Sequence, residues 1–174
     1  MSLTTRPDAT EHVPYFGRYT TLVPDGSIAE TLRKQRDETA ALLARVPAAL
    51  ESHRYAEGKW SVREVVGHLA DAERVFSYRA LRIARGDETP LPGFDENQYV
   101  PAGRFEARTL ASLAAEYQAV RESTLQLLEG LDEAALPRRG TASENPVSAR
   151  ALFWIVAGHE RHHVALLRER YGLR

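Results

Sequence analysis

Residues 61–86 read SVREVVGHLADAERVFSYRALRIARG and carry the signals of one long helix from start to end. Ser61 and Glu64 form a capping box, and Trp60 and Val65 occupy the two positions of a hydrophobic staple. Gly86 is a typical helix terminator. The apolar stripe of this helix consists of Val62, Val65, Val66, Leu69, Phe76 and Ala80. The segment therefore predicts an amphipathic helix that packs on one face.

Three further segments have helical periodicity and their own boundary signals. The first spans 27–46, begins at a capping box formed by Ser27 with Glu30, and ends before a proline. The others span 110–129, which follows Thr109 as a cap, and 149–171. No segment shows convincing strand alternation or a fixed repeat. The sequence therefore predicts an all-α fold, a four-helix bundle.

Two segments lie outside these four helices. Residues 1–26 hold aromatic residues among prolines and glycines, which predicts an extended segment packed on the bundle formed by 27–174. Residues 87–108 form a long connection between the second and third helices. This connection is either a rim over one end of the bundle or a plain crossover between non-adjacent helices. If the connection forms a rim, four of its residues could line the mouth of a pocket at that end of the bundle, namely Asp95, Glu96, Gln98 and Tyr99.

The composition excludes several classes of function. The chain has 174 residues, 43% of them hydrophobic and 27% charged, and a formal net charge of -1. This balance offers no basic field for nucleic acid, so we expect no nucleic-acid partner. The absence of cysteine removes disulfides, iron–sulfur clusters and cysteine nucleophiles. No apolar run is long enough for a membrane span and no targeting signal is present, so we expect a cytoplasmic protein.

Histidines on two helices are the candidate metal ligands. His159 and His163 lie four residues apart in the middle of the apolar stripe of the last helix, so their rings share one face. His68 lies beside the stripe of the 61–86 helix. Buried imidazoles need partners, because unpaired polar rings cost several kcal/mol. Each could be a hydrogen-bonded core histidine, but three rings facing one interior favour a divalent metal.

Two glutamates are the candidate catalytic residues. Residues 159–163 match H-E-x-x-H, in which the glutamate can act as a general base, but we expect Glu160 to be a partly exposed helix residue more readily than a catalytic one. A peptidase of this class takes its third ligand well downstream, and eleven residues follow His163, so we reject that function. Glu73 lies within an apolar stripe and should pair with an arginine or a ligand histidine.

The remaining histidines carry weaker signals. His162 lies away from the centre of the stripe, so we expect it at the rim of the site and not among the ligands. His12 and His53 lie in irregular segments, and surface positions are expected for both.

The segments 58–73 (GKWSVREVVGHLADAE), 93–97 (GFDEN) and 159–163 (HERHH) together resemble the DinB superfamily. The resemblance is closest to its branch of YfiT-type metal-dependent hydrolases and bacillithiol transferases. It implies an up-down-down-up four-helix bundle, often a homodimer, whose zinc or nickel ion is held by three histidines. Carried over position by position, these ligands are His68, His159 and His163.

These observations lead to one functional hypothesis and one rival. The hypothesis is an enzyme whose metal activates water or a low-molecular-weight thiol for attack on a small electrophile, as a hydrolase or a thiol S-transferase. In this hypothesis, Glu160 or Glu73 transfers protons or orients groups at the metal site. The rival is a non-catalytic, stress-related binding or dimerisation bundle in which the metal site is vestigial or stabilising.

Overall fold

A computed structural model of the protein describes residues 5–174, and the first four residues of the predicted N-terminal segment lie outside that range. Within it the chain is mostly helical, with six α-helices and one two-stranded sheet. The elements in chain order are α1 Pro14–Thr20, α2 Ile28–Leu43, α3 Val62–Ala84, α4 Glu96–Gly103, α5 Leu110–Glu129, β1 Arg139–Ala142, β2 Asn145–Ser148 and α6 Ala149–Tyr171.

The four long helices begin at the residues that the sequence predicts. The side chains of Ser27, Ser61, Thr109 and Ser148 each accept a hydrogen bond from a backbone N–H of the first turn of α2, α3, α5 and α6. The capping box of α3 is complete, with both Ser61 and Glu64 taking part. These caps satisfy backbone donors that the helix itself leaves unpaired.

The long helices pack as a four-helix bundle in which the first two, α2 and α3, are not neighbours. Both α2 and α3 pack mainly against α5 and α6. Since α2 contacts α3 little, the two lie across the bundle from each other, and the chain crosses one end of the bundle between them. None of the helices in residues 5–174 combines the length and apolarity that a membrane crossing requires.

The all-α prediction describes the bundle and misses a small antiparallel hairpin before α6. Strands β1 and β2 pair from Arg139↔Ser148 to Ala142↔Asn145. Each strand has four residues, too few to show alternation. The turn residues Ser143 and Glu144 have φ angles of 51° and 63°. Asparagine and glycine are the usual residues at such positions, so this turn carries no recognisable sequence signal.

The prediction of an extended N-terminal segment is wrong for part of its length, because the chain forms a 3-10 turn at Ala9–Glu11 and then α1. Pro14 begins this helix, a position where the fixed φ of proline is favourable. The helix packs against α6. Glu11 fastens the segment by accepting hydrogen bonds from Ser148 and Arg150 at the start of α6.

The connection 87–108 is not a crossover between distant helices, since it joins α3 to α5 and these two helices pack on each other. Helix α4 and a 3-10 turn at Phe105–Ala107 fold back onto α3. A Cβ atom at Gly67 would lie 2.3 Å from the Phe105 ring. The lack of a side chain at Gly67 therefore lets the connection pack directly on α3.

The buried interior consists of two apolar clusters with polar residues between them. On each long helix these polar residues separate one apolar cluster from the other. We call this set the polar layer; it comprises Gln35, Thr39, His68, Glu73, Tyr117, Arg121, His159, Glu160 and His163.

Candidate metal centre

Three histidines of the polar layer converge on one point between α3 and α6. The Nε2 atom of His159 lies 3.1 Å from the Nε2 atom of His68 and 3.1 Å from that of His163. One ligand atom from each ring lies within 4.8 Å of the other two. All three side chains are buried. The structure therefore brings together the three residues that the sequence selects.

Aromatic side chains surround the three imidazoles. The Trp60 ring centroid lies 4.7 Å from that of His68, and the ring lies within 20° of parallel to His163. The rings of Tyr19 and Phe76 approach His159 edge-on, with centroid distances of 5.4 and 5.7 Å. These contacts restrict the orientations of the three imidazole rings.

Burial keeps the three rings neutral. It lowers the pKa of His68 to about 4 and lowers the pKa values of His159 and His163 well below their ordinary range. Repulsion between the rings lowers the latter two further. Neutral imidazoles offer a free nitrogen lone pair, which is the form that binds a metal ion.

The spacing of the nitrogens fits a divalent cation. Ligand nitrogens about 2.0–2.1 Å from a tetrahedral zinc ion lie about 3.3 Å from one another, close to the separations of the Nε2 atoms. The opposite nitrogen of His163, Nδ1, is buried and has no hydrogen-bond partner in residues 5–174. The three histidines can therefore supply three ligands to one divalent ion.

A cavity of about 570 Å³ opens beside the histidines. Helix α1, the start of α4 and the β1–β2 turn contribute to its wall, through Tyr15, Phe16, Arg18, Glu96, Ser143 and Asn145. Of the four connection residues predicted for the pocket mouth, Glu96 lines this cavity and the other three do not. The connection thus forms part of the rim, as one of the two sequence interpretations expects.

The two candidate catalytic glutamates lie in the polar layer, where they are bound to an arginine. Arg121 donates two hydrogen bonds of 2.8 Å to the Glu73 carboxylate, which confirms the expected arginine partner. Its Nη2 atom also lies 2.7 Å from Oε2 of Glu160. The charged guanidinium of Arg121 lies in the fully buried centre of the bundle. Arg121 is not among the residues that the sequence predicts for the site.

Glu160 is fully buried, so the expectation of partial exposure is wrong. Its Oε1 atom accepts hydrogen bonds of 2.6 Å from Thr39 and Tyr117. Burial and the neighbouring Glu160 carboxylate raise the pKa of Tyr117, so its hydroxyl remains a donor. Helix α6 is covered on all sides from Ala151 to Glu160, and no face is left for an exposed glutamate.

The other histidines divide between rim, core and surface. His162 is exposed at the cavity rim, with its ring 5.0 Å from that of His163, and is not part of the converging cluster. His53 is exposed, as expected. The surface position expected for His12 is wrong, because its ring is buried between the Val13 carbonyl and the Thr20 hydroxyl.

Comparison with known sequences connects this architecture to one family. The sequence model described as the DinB superfamily matches residues 31–167. Two curated relatives are provisionally named metal-dependent hydrolases. The one from Oceanobacillus iheyensis is 27% identical over 127 residues, and the one from Bacillus licheniformis is 37% identical over 123 residues. The chain spans just under two thirds of their length, 66% and 64%, and the alignments cover equal shares of this chain.

Two solved structures share the fold. YfiT from Bacillus subtilis, described as a probable metal-dependent hydrolase with an unusual four-helix bundle topology, superimposes with a TM-score of 0.74 at 20% identity. The match covers 84% of this chain and 87% of YfiT. A DinB-like protein from the same organism gives a TM-score of 0.59 at 26% identity, over 83% of this chain and 90% of that protein.

Proposed function

Since this chain belongs to the DinB superfamily, we propose that it is a metal-dependent hydrolase that acts on a small molecule bound beside His68, His159 and His163. The observation that carries the proposal is the convergence of three Nε2 atoms, each from a buried and neutral imidazole, at the wall of a cavity of about 570 Å³. The provisional names of the curated relatives support the same reaction class.

The residues around the site have distinct tasks in this proposal. A divalent ion supplies Lewis acidity and a nucleophile at neutral pH when it is bound. Trp60, Tyr19 and Phe76 hold the imidazoles in place and give the cavity an apolar wall next to them. The cavity volume limits the substrate to a small molecule, because ligand pockets of about 300–1,000 Å³ accommodate ligands of drug size.

The two buried glutamates have a positioning role in this proposal. Both carboxylates contact Arg121, and Glu160 also binds Thr39 and Tyr117. These bonds connect α2, α3, α5 and α6 directly behind the histidines. Glu73 and Glu160 therefore fix the helices that carry the ligands, and a proton-transfer role for either would require it to leave these partners.

Further parts of the proposal follow from the resemblance. We take zinc or nickel as the ion, because imidazole ligands suit both. The proposal also includes the up-down-down-up helix order, a homodimer and a cytoplasmic location. A low-molecular-weight thiol remains an alternative nucleophile, and it would have to come from outside, since the chain contains no cysteine.

The test is elemental analysis of tag-free protein, with the wild type beside His163→Ala and His162→Ala. We expect about one equivalent of zinc or nickel in the wild type and its loss in His163→Ala, since two ligands remain. His162→Ala is the matched control: it removes the neighbouring histidine from outside the cluster and should keep the ion. Helical content by circular dichroism should remain similar in all three.

The metal-loaded protein is then screened for hydrolysis of small esters, amides and lactones, with and without an added thiol. Activity that disappears with chelator, returns with zinc or nickel, and is absent in His163→Ala supports the hydrolase. Retention of metal by His163→Ala would refute the ligand assignment. Bound metal without turnover, combined with a large loss of stability on chelation, would favour the non-catalytic bundle.

A further inference from the structure

A buried arginine at the far end of the cavity lacks an acidic partner. Arg79 on α3 lines the cavity and is 4% exposed. Its two hydrogen bonds both come from Nη2, to the carbonyl oxygen of Pro92 at 2.7 Å and to Oγ of Ser143 at 2.9 Å. No carboxylate in residues 5–174 forms an ion pair with it. Burial lowers the pKa of Arg79, and no neighbouring acid opposes that effect.

The contrast with the other buried arginine is informative. Arg121, which is fully buried and does not line the cavity, has Glu73 and Glu160 as counter-ions. A buried charge without a partner is costly, and such charges are generally paired. The position of Arg79 in a cavity wall means that an anion can reach it from the cavity.

The charge of the cavity also favours an anion. The charged side chains that line it in the described part of the chain are Arg18, Arg79 and Glu96, which leaves one excess positive charge before any metal is added. A divalent ion at the histidines would add two more. A concave site with this balance attracts negatively charged ligands.

The hairpin turn holds its polar groups at the same end of the cavity. Ser143, which accepts from Arg79, has a left-handed φ of 51°, and Glu144 after it has a φ of 63°. Non-glycine residues in this region are strained, and such strain clusters at ligand-binding positions. Asn145 lines the cavity from the same turn.

An apolar stretch separates Arg79 from the histidines. The Phe76 ring centroid lies 5.7 Å from that of His159 and 6.4 Å from that of Phe94, and Arg79 Cζ lies 5.8 Å from the Phe94 centroid. Arg79 is eleven residues beyond His68 on the same face of α3, about 16 Å along the axis. Its side chain leans back toward the start of the helix, which shortens this span.

We propose that Arg79 and Ser143 bind a carboxylate of the substrate, so that the substrate is a small anion with an apolar middle and its reacting group at the three histidines. The placement of the reacting group at the histidines rests on the proposed function. The carboxylate site rests on Arg79 alone. Pro92 and Ser143 engage Nη2, so the N–H groups of Nη1 and Nε remain to donate charge-assisted hydrogen bonds to a carboxylate.

The test compares an acid with the alcohol of the same length. Mercaptohexanoic acid and mercaptohexanol both carry a thiol for the metal, and they differ at the end that would reach Arg79. By isothermal titration calorimetry with zinc-loaded protein, we expect the acid to bind about tenfold more tightly than the alcohol, the effect of one charge-assisted contact. Arg79→Gln should remove this preference.

Arg82→Gln is the matched control. Arg82 lies three residues further on the same helix, where it binds Asp87 and Tyr78 outside the cavity. This variant also loses one arginine from α3 and should keep the full preference for the acid. If Arg79→Gln does not fold, Arg79→Lys replaces it. The lysine should weaken binding of the acid severalfold and leave binding of the alcohol unchanged, because one ammonium group has fewer donors to divide among Pro92, Ser143 and the acid.

Hexanoate and hexanol, titrated into metal-free protein, separate this proposal from the proposed function. If elemental analysis finds no metal ligation by the histidines, a preference for hexanoate that Arg79→Gln abolishes still supports the carboxylate site. Equal binding of acid and alcohol by the wild type would overturn it. So would a preference that survives in Arg79→Gln, or an Arg79→Lys variant that weakens both ligands equally.

Discussion

The backbone of Tyr19 crosses α6 directly over Gly158, so closely that a Cβ atom at Gly158 would lie 2.0 Å from the Tyr19 carbonyl oxygen. The adjacent residue of α6 is His159, whose ring contacts the Tyr19 ring. Helix α1 can therefore cover the metal centre because α6 has no side chain at this crossing.

Gly158→Ala should displace α1 from α6. The clash is with backbone, which cannot rotate away, so we expect a loss of roughly 1–3 kcal/mol in the free energy of unfolding. Urea denaturation measures this loss, and hydrogen exchange should show earlier exchange in residues 14–20. Gly17→Ala is the control on the other helix: its Cβ would meet His12 Cε1 at 3.9 Å, an ordinary contact. An unchanged stability of Gly158→Ala would contradict the close packing.

Arg121→Met should be among the most destabilising single substitutions in the bundle. It leaves Glu73 and Glu160 buried without their counter-ion, which costs about 3–5 kcal/mol. Chemical denaturation followed by circular dichroism gives the value. Arg36→Met is the comparison, since Arg36 pairs near the surface with Asp37 and Glu122 and such pairs contribute less than about 1 kcal/mol.

The triple variant Arg121→Met, Glu73→Gln, Glu160→Gln isolates the charge effect. Because it removes the two uncompensated carboxylates together with the arginine, it should recover part of the lost stability. A triple variant as unstable as Arg121→Met would show that packing, and not charge, explains the loss.

The metal-free protein should lose stability as the pH falls from 7 to 5. The unfolded chain protonates its histidines near pH 6.5, whereas burial holds the pKa of His68 at about 4 in the folded state. The unfolded state therefore binds more protons in this window, and acid favours it. His68 alone should contribute about 2 kcal/mol of lost stability at pH 5. The contribution of His68 is fully present above pH 6.5.

Urea unfolding of chelator-treated protein at pH 7, 6 and 5 measures this slope. His68→Gln should show a shallower pH dependence, because one of the three buried rings no longer titrates. His53→Gln, which changes an exposed histidine, should retain the slope of the wild type. Identical slopes for all three proteins would mean that the His68 ring is not held neutral by burial.

Local signals predict much of the bundle. Ser27, Ser61 and Thr109 mark helix starts in the sequence because a cap acts within one turn of chain, and the structure has them as caps. Helical periodicity likewise places His68, His159 and His163 on inward faces. Helix α1 and the hairpin cannot be predicted in this way. Helix α1 has seven residues and each strand of the hairpin has four, which is too short to show a period.

The polar interactions behind the site depend on several helices at once. Arg121 lies on the same face of α5 as Tyr117 and Thr124, so the reasoning that marks Glu73 as a charge within an apolar stripe could also have found it. The burial of Glu160 had no such signal, because it depends on Thr39 and Tyr117 from two other helices. The environment of Arg79 depends on Pro92 and Ser143, which the 87–108 connection and the β1–β2 turn bring to α3.

The polar layer has a consequence for how the helices align. Apolar contacts are non-directional, so they discriminate weakly between alignments of two apolar helix faces. Arg121 on α5 pairs with Glu73 on α3 and with Glu160 on α6. If α5 shifted by one turn relative to either helix, a buried charge would lose its partner. We expect this ion pairing to select one relative position of the helices along the bundle axis. The same position brings the three imidazole nitrogens together.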